Sequence, residues 1–501
     1  MGRTTTSAFL LSNRNDVTMQ LRNPVLACFV IAATALSAPA QGRTIPAGDP
    51  QPILQIEAGG PTAFVTSLTF SPDGKRLYAA GFDKVVRVWN LNENTGRFEL
   101  DPASYRIPIG PGIAGTINAI ALSPDERWLA VGGQGIVRGS AGFRLPGLYL
   151  PKTGAYTEEM WLDEGTIYVF DTRTRLVRPL RGHLGPIWSL AFAPAFDGKP
   201  PLLVSTGRDR DMETASYKGS VRLWDVVQGE LVAERTDMPN GTGTRPGLAA
   251  WHTGKELKQV RVGIAWEDGL LRVWDVASNR LMIAKDGWNG KRDGGYNNTA
   301  IWLPDARRLL TLSLRYPIDG QPAAMQIRQW SDDTNGPRET EVRSVTPTGV
   351  SAAMVPRALA PVSSQANGQI DQAAVVLLWK EQKDNTTVED YYLYLRDLAR
   401  DNFGGYLAYT RISVAGHLPA LATSPKGKFI AVTGEHGRSI RLYSIQDLLR
   451  RKDKAQPQIL RSIGQTFRFA AFVKKRPGTR ARSERTTKLD RRRYAACSGS
   501  R

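Results

Sequence analysis

The residue types that most often carry catalysis or bind metals are sparse in this chain. The four histidines are His183, His252, His417 and His436. No two of them have the spacing of metal ligands. The two cysteines are Cys28 and Cys497, so residues 41–473 offer no thiol nucleophile, no disulfide and no Cys₄-type zinc site. These patterns predict no metal centre.

Short catalytic motifs are also absent from the sequence. There is no His-Glu-x-x-His, no Gly-x-Ser-x-Gly and no phosphate-binding loop, since Lys285 stands where the Gly-Lys at 290–291 would need its first glycine. Three aspartates, Asp73, Asp125 and Asp305, fall in Ser-Pro-Asp or Leu-Pro-Asp turns, where an aspartate caps its own backbone. The sequence therefore predicts a protein that is not an enzyme and binds no cofactor.

A repeated unit supplies the elements of the fold. In its first copy, residues 67–90, the alternating stretches Ser67–Phe70, Arg76–Ala80 and Val85–Trp89 are separated by Ser-Pro-Asp-Gly and Gly-Phe-Asp-Lys. Alternation with a period of two, broken by such turn clusters, indicates short antiparallel strands. Further copies begin near residues 117, 187, 247, 298 and 418, and a degraded copy includes Ala373–Trp379 and Tyr391–Arg396. The fold class is therefore all-β.

The repeats resemble the WD40 family of β-propellers. The resemblance rests on Gly-His at 182–183 and 416–417, on Ser-Pro-Asp-Gly after the first strand, and on Trp-Asp at the end of the third. Its closing aromatic residues are Trp89, Phe170, Trp224, Trp274, Trp330 and Tyr443. The resemblance implies a propeller over residues 51–463, with seven blades of four antiparallel strands, and points to a bacterial, exported member of the family. An eighth blade stays open at this point.

The resemblance also implies a buried polar network within one blade. Its members here are His183, Ser205, Trp224 and either Asp209 or Asp211. We expect a structural role, because a satisfied polar chain holds the register of the strands.

Insertions between second and third strands mark a candidate binding surface. They are predicted at 135–165, Arg208–Gly219, Arg315–Pro322 and Lys380–Glu389, all on one face of the ring. The apolar residues of the longest are Phe143, Leu145, Leu148, Tyr149, Tyr156, Met160 and Trp161. Such a loop either covers its own blade or presents a surface to a protein partner.

A net charge of +19 could indicate a nucleic-acid partner, but the charge is unevenly distributed along the chain. Residues 474–501 carry +9 and residues 1–40 carry +2, which leaves +8 for residues 41–473. A body with charge so dispersed disfavours a nucleic-acid partner.

The N-terminus has the three parts of a secretory signal. Arg22 precedes an apolar run, Val25–Leu36, and Ala38-Pro39-Ala40 forms a cleavage motif before Gln41. The apolar run is short for a membrane span. We expect a signal region at 1–40 whose true start is Met1 or Met19, no transmembrane span after cleavage, and a monomer in the periplasm or outside the cell.

The C-terminal part, residues 464–501, predicts an unfinished repeat. Phe467–Val473 has the pattern of a first strand, but Lys474–Arg493 holds ten Lys or Arg and cannot supply the missing strands. The first apolar segment, Ile53–Ile56, is expected to close the ring by pairing with the last full blade. The basic tail is either native or the result of truncation or a frame change.

Two functions follow from this reading. The first is a non-enzymatic scaffold that binds protein partners on the face with the insertions. The second is the recognition part of a larger, truncated multidomain enzyme. The resemblance permits this, because bacterial chains similar to this one often carry a second domain.

Overall fold

A computed structural model describes residues 53–56 and 60–468. Within the second range the undescribed residues are 110–112, 136–163, 197, 199–200, 212–215, 240–245, 267–269, 285–298, 304–307, 316–323, 334–335, 345–353, 364–369, 384–385, 398–405, 413–418, 435–436, 452–453 and 462–464. Residues Leu54–Phe467 form one compact unit.

Twenty-eight of the described strands form seven sheets, which we number as blades in chain order. Blades 1 to 3 contain β2 (Val65–Phe70), β3 (Arg76–Gly81), β4 (Val85–Asn92), β5 (Arg97–Arg106); β6 (Ile117–Leu122), β7 (Trp128–Gly133), β8 (Gly165–Asp171), β9 (Val177–His183); and β10 (Ile187–Phe192), β11 (Leu202–Arg210), β12 (Tyr217–Asp225), β13 (Glu230–Met238). Blades 4 and 5 contain β14 (Gly247–His252), β15 (Val260–Ala265), β16 (Leu271–Asp275), β17 (Arg280–Ile283); and β18 (Thr299–Leu303), β19 (Arg308–Arg315), β20 (Ala324–Asp333), β21 (Gly336–Ser344). Blades 6 and 7 contain β22 (Met354–Ser363), β23 (Ile370–Lys383), β24 (Thr386–Asp397), β25 (Tyr406–Ile412); and β26 (Leu421–Thr423), β27 (Phe429–Gly434), β28 (Ser439–Ser444), β29 (Gln458–Arg461).

The predicted seven-bladed propeller is confirmed. Each sheet has four consecutive antiparallel strands, as the alternating pattern requires. The first strands of successive blades contact each other, and β26 also contacts β2. The first strands therefore form the inner ring, and the fourth strands lie at the rim.

The apolar core lies between neighbouring blades, so each blade buries both of its faces. Trp224 of blade 3, for example, packs against Ile167 and Val169 of blade 2. Tyr443 of blade 7 packs against Val376 and Leu393 of blade 6 in the same way. Because each closing aromatic seals the gap to the blade before it, the ring is stabilised as a whole.

Polar side chains join the inner strands of the first four blades. Thr66 Oγ1 donates to Ile117 O at 2.6 Å, and Asn118 Nδ2 donates to Ile187 O at 3.0 Å. Ser189 Oγ donates to Pro246 O at 2.7 Å. Each bond runs from one blade to the next and satisfies a carbonyl of the inner ring.

Closure of the ring differs from the prediction. Ile53–Ile56, β1, pairs with β30 (Gln465–Arg468) in a two-stranded sheet of its own, and not with the last full blade. Blade 7 has four strands without β1, because β29 is its fourth strand. The seam instead closes through Val65 N, which donates to Gly437 O at 2.7 Å, and the edge-on rings of Phe98 and Phe429, whose centroids are 5.3 Å apart.

Blade 7 also contains the helix α1 (Ile445–Arg451) between its third and fourth strands. Ser444 Oγ accepts from Asp447 N at 3.4 Å near the start of the helix. Ile445 and Leu448 are buried in the core between blades 6 and 7. The search for strand repeats missed this helix, because one short helix adds little to the sequence pattern.

Two of the aspartates in turns behave as expected. Asp73 Oδ1 accepts from Lys75 N at 2.9 Å, and Asp125 Oδ1 accepts from Arg127 N at 3.2 Å. Each aspartate therefore caps the turn between its first and second strands. Asp305 lies outside the described residues.

Candidate functional site

The structure brings the predicted network of blade 3 together. Ser205 Oγ accepts from Trp224 Nε1 at 2.8 Å and lies 2.7 Å from His183 Nε2. His183 Nδ1 lies 3.1 Å from Asp209 Oδ1. Of the two aspartates considered, Asp209 holds the acidic position, and Asp211 pairs with Lys218 at 2.8 Å.

This Ser–His–Asp order matches the connectivity of a hydrolase triad, but its surroundings do not permit that chemistry. Ser205 and His183 are both 0% exposed, so no substrate carbonyl reaches the hydroxyl. Because the serine oxygen already accepts a hydrogen bond from Trp224 Nε1, it serves as one member of a hydrogen-bond network and not as a nucleophile. The burial and the contacts of the network therefore support the structural role expected from the sequence.

A buried arginine extends the network. Arg222 Nη1 donates to Asp209 Oδ2 at 2.6 Å, and Arg222 Nε donates to Glu234 Oε2 at 2.9 Å. His183 Nδ1 also lies 2.9 Å from Ser220 Oγ. Seven side chains, from β9 of blade 2 and from β11, β12 and β13 of blade 3, thus share one set of hydrogen bonds.

Burial favours the neutral form of both ionisable groups, His183 and Asp209, whereas the charged neighbours of Asp209 favour its ionised form. Burial lowers the pKa of His183, which keeps the imidazole neutral. Burial alone would raise the pKa of Asp209, but the contacts with His183 and Arg222 outweigh it and lower the pKa to about 2. The buried ion pair is consequently the arginine with the aspartate.

In four blades the closing aromatic is the next-to-last residue of the third strand. These residues are Phe170, Trp224, Trp274 and Tyr443. In blade 6 the next-to-last residue of the third strand is Arg396, which pairs with Ala373. Arg396 is fully buried, like the closing tryptophans. The sequence comparison missed this position because it searched only for aromatic residues.

The predicted insertions of blades 3 and 6 are extended β-ladders. Arg208–Gly219 continues the pairing of β11 with β12 as far as Arg210 opposite Tyr217. Lys380–Glu389 continues β23 and β24 as far as Lys383 opposite Thr386. Both segments are therefore lengthened hairpins between a second and a third strand, as predicted. The insertion of blade 5, Arg315–Pro322, lies outside the described residues from 316 onward.

These ladders define two faces of the ring. We call the face with the hairpins between second and third strands the hairpin face, and the opposite one the turn face. In blade 3 the hairpin is tied to the preceding connection, since Arg208 N donates to Pro186 O at 3.1 Å and Arg210 N donates to Leu184 O at 3.2 Å. Asp209 between them is locked into the buried network. This hairpin is therefore held rigidly.

The raised blade 3 hairpin carries an arginine–tyrosine cluster, which we call the blade 3 cradle. The guanidinium carbons of Arg208 and Arg210 lie 4.7 Å and 5.9 Å from the ring centroid of Tyr217. All three side chains are half-buried. The two arginines form an Arg-x-Arg pair in the sequence, and this spacing on a strand places both side chains on one face.

A second pairing of this kind lies at the seam of the ring. Arg438 lies 5.9 Å from the ring centroid of Phe64, and Phe64 meets Phe82 edge-on at 5.9 Å. Phe64 and Phe82 are half-buried and Arg438 is exposed. Arginine and aromatic residues together are typical of protein interfaces.

Five described carboxylates of the hairpin face are hydrogen-bonded or ion-paired. Asp83 bonds Arg87, Glu164 bonds Gln134, and Asp209 bonds Arg222. The other two form ion pairs, Asp211 with Lys218 and Asp237 with Arg235. Two cations of this face, Arg106 and Arg438, are exposed.

The predicted partner-binding residues of blade 2 are Phe143, Leu145, Leu148, Tyr149, Tyr156 and Trp161, and they lie outside the described residues. The two ends of that insertion are described and meet. Gly135 N donates to Glu164 O at 2.9 Å, and the side chains of Gln134 and Glu164 are hydrogen-bonded. The neck of the insertion is therefore closed.

Among the described residues, no group of three His, Cys, Asp or Glu side chains could hold a metal ion. Likewise, no described helix is long and apolar enough to cross a membrane.

Comparison with known proteins agrees with the fold. The family model for the WD domain, G-beta repeat, matches residues 51–90, 110–138 and 174–225. With seven blades of four antiparallel strands, the chain is a WD40-type β-propeller. The match and the fold together support its assignment to the WD40-repeat β-propeller family.

Curated relatives match only short segments. The small ribosomal subunit protein RACK1 of Schizosaccharomyces pombe is 32% identical over 76 residues, which cover 15% of this chain and 21% of that protein. The periodic tryptophan protein 2 homolog of Dictyostelium discoideum is 26% identical over 184 residues, 34% of this chain and 18% of that protein. The chain thus spans about a fifth of the length of these relatives. Both are eukaryotic, and they do not support the expected bacterial, exported origin.

Two solved structures are similar to the chain. The structure of U3-55K has a TM-score of 0.45 and 16% identity and covers 76% of this chain and 92% of its own. The RRP9 WD40 repeats have a TM-score of 0.47 and 15% identity, covering 82% and 100%.

Proposed function

We propose that this chain is a non-enzymatic scaffold that binds protein partners through its hairpin face. WD40 propellers usually bind protein partners. The observation that supports the choice of face is the blade 3 cradle, in which Arg208, Arg210 and Tyr217 stand half-exposed on a hairpin that buried hydrogen bonds hold in place. A rigid aromatic and arginine cluster binds with little loss of side-chain entropy.

The turn face supports this choice by contrast. Two of its arginines form ion pairs with the next blade: Arg76 pairs with Glu126 at 2.6 Å, and Arg261 pairs with Asp332 at 2.8 Å. Those ions stabilise the contact between blades. A partner that bound these arginines would have to break the ion pairs.

Site-specific photo-crosslinking tests the face. A benzophenone amino acid is placed at Tyr217 or Phe64 on the hairpin face, and at Arg173 or Arg280, both exposed, on the turn face. We expect protein adducts from the first pair of positions and not from the second. Adducts confined to the turn face, or none from any position, contradict the proposal.

The 136–163 insertion belongs to the same proposal as a second contact surface. It leaves blade 2 on the hairpin face, because it joins a second strand to a third. Its apolar residues, Phe143 and Trp161 among them, suit a protein partner more than a charged polymer.

Export of the chain is a separate proposal. It is supported by the apolar run Val25–Leu36 and the motif Ala38-Pro39-Ala40. Mature protein should begin at Gln41 and be released with the contents of the periplasm or the medium. N-terminal sequencing that finds Met1 or Met19 on cytoplasmic material contradicts it.

A further inference from the structure

The fourth strand of blade 6, β25, forms one edge of its sheet. It pairs with β24 along one side, and no described strand pairs along the other. Its side chains alternate: Ala408 and Thr410 are buried, whereas Tyr409 is 46% exposed and Arg411 is exposed. At such an edge, every second residue directs its backbone N–H and C=O groups away from the sheet. Another extended strand matches that arrangement of donors and acceptors.

The other fourth strands of the ring have features that disfavour this kind of pairing. Proline interrupts three of them, at Pro102 of β5, Pro179 of β9 and Pro337 of β21. Strands β17 and β29 have only four residues each. The fourth strand of blade 3, β13, carries four charged residues, which are Glu230, Glu234, Arg235 and Asp237. By contrast, β25 has seven residues, no proline and one charge.

We propose that β25 pairs antiparallel with β25 of a second copy of this chain, about a two-fold axis at Tyr409. This pairing places Leu407 opposite Arg411 of the second copy, so no like charges face each other. Arg411 is also neutralised within its own chain, because it forms an ion pair with Asp390 of β24. Two copies of this edge therefore do not repel one another.

The two faces of the sheet also match across this axis. A two-fold axis perpendicular to the sheet keeps each face on its own side. Buried Ala408 of one copy then lies beside buried Thr410 of the other, and exposed Tyr409 lies beside exposed Tyr409. The pairing thus continues the four strands of blade 6 into those of the second copy without turning a buried side chain outward.

The ring of Tyr409 is already ordered for this contact. It stacks on the ring of Tyr394 with the centroids 5.7 Å apart and 26° between the planes. The ring of Tyr392 follows at 6.1 Å from that of Tyr394. Across the axis, the β-carbons of the two Tyr409 residues lie about 5 Å apart, which extends the series of rings into the second copy. An ordered ring loses little side-chain entropy on association.

A dimer through β25 goes beyond the proposed scaffold function. It uses the rim of blade 6 and leaves the hairpin face open, so the two proposals stand or fail separately. It also departs from the monomer expected from the sequence, because the structure alone shows which strand lies at the edge of each sheet.

Sedimentation velocity on the full chain tests the dimer by charge exchange at the axis. The proteins are the wild type, Tyr409→Lys, Tyr409→Glu and the control Leu231→Lys. The control adds the same charge at a residue that is 42% exposed on the fourth strand of blade 3. Two lysines or two glutamates facing each other at the axis repel, whereas one of each attracts. Circular dichroism compares the folds of the four proteins.

We expect the wild type and the control to dimerise equally between about 1 and 100 μM, and each Tyr409 variant alone to dimerise at least about tenfold more weakly. An equimolar mixture of the Lys and Glu variants should recover the dimer. A monomeric wild type, an equal loss in the control, unchanged dimerisation of either variant, or a mixture that stays monomeric each overturns the inference.

Crosslinking separates a second copy from another protein at the same edge. A benzophenone amino acid at Arg411 should give a product of twice the mass of the chain. Adducts only with a different protein would assign the edge to a strand of that protein and overturn the dimer.

Discussion

The side-chain carboxamide of Gln458, on the last strand of blade 7, pairs with the backbone of Phe98, on the last strand of blade 1. Phe98 N donates to Gln458 Oε1 at 2.9 Å, and Gln458 Nε2 donates to Phe98 O at 2.6 Å. The side chain thus makes the two hydrogen bonds that a residue of a neighbouring β-strand would make, although Gln458 and Phe98 are 360 positions apart in the sequence. It joins the first and last blades at the rim, outside the inner contact between β2 and β26.

Removing this amide should weaken the seam. Gln458→Ala leaves a donor and an acceptor of Phe98 to water, so we expect a loss of about 1–2 kcal/mol in the free energy of unfolding. Gln458→Glu should cost more, because a carboxylate repels the Phe98 carbonyl. Urea denaturation measures both, with Gln456→Ala as the control, since Gln456 is exposed and bonds only Lys454 O at 3.5 Å. Equal stability of Gln458→Ala and the control would show that the clamp is dispensable.

The blade 3 network should make stability depend on pH. Burial lowers the pKa of His183, so below about pH 6.5 the unfolded chain binds a proton that the folded chain does not. The stabilisation of the wild type over His183→Gln is therefore fully present above that pH. It shrinks as the pH falls, by at most about 1.4 kcal/mol per pH unit.

Urea denaturation of both proteins between about pH 7.5 and pH 5 measures this difference. Asp83 acts in the opposite direction, because burial raises its pKa to about 6 and its protonation in acid favours the folded state. Asp83 is present in both proteins, so its effect cancels. Asp209, whose pKa is lowered to about 2, keeps its charge over this range. A difference that grows toward acid pH contradicts a neutral, buried His183.

The buried Arg396 of blade 6 should be replaceable by tryptophan. The closing position takes an aromatic side chain in the other six blades, and the residue that pairs with Arg396 is the small Ala373. We expect Arg396→Trp to unfold at nearly the urea concentration of the wild type. Arg396→Ala should lose about 2–5 kcal/mol, because it empties a fully buried site. If both variants are destabilised alike, the position requires the guanidinium itself.

The insertion of blade 2 should be removable. Gly135 and Glu164 already meet at its neck, so deletion of Val137–Leu162 with a short glycine-containing turn needs no change in β7 or β8. If the insertion binds a partner, the deletion abolishes crosslinking to that partner while the melting temperature changes little. If Phe143, Tyr149 and Trp161 instead cover blade 2, each contributes on the order of 1.5–3 kcal/mol, and the melting temperature falls by many degrees. Unchanged binding with a large loss of stability excludes the insertion as a binding surface.

Local patterns were enough to predict the blades. Short runs rich in β-branched and aromatic residues, such as Val85–Trp89, lie between turn clusters, and the turns need particular residues such as Asp73. Both properties depend on neighbours in the chain, so they can be read without knowledge of distant contacts. The members of the blade 3 network could be named for a related reason, since His183 and Trp224 hold fixed places in a repeat.

Contacts between residues far apart in the chain were decided only by the tertiary structure. The Gln458 clamp, Arg396 at a closing position and the pairing of β1 with β30 leave no local pattern, because each depends on which strands the closed ring brings together. The blade 3 cradle belongs to the same group. Arg208, Arg210 and Tyr217 are ordinary polar residues in sequence, and they become one cluster because the paired strands β11 and β12 hold them over a buried set of hydrogen bonds.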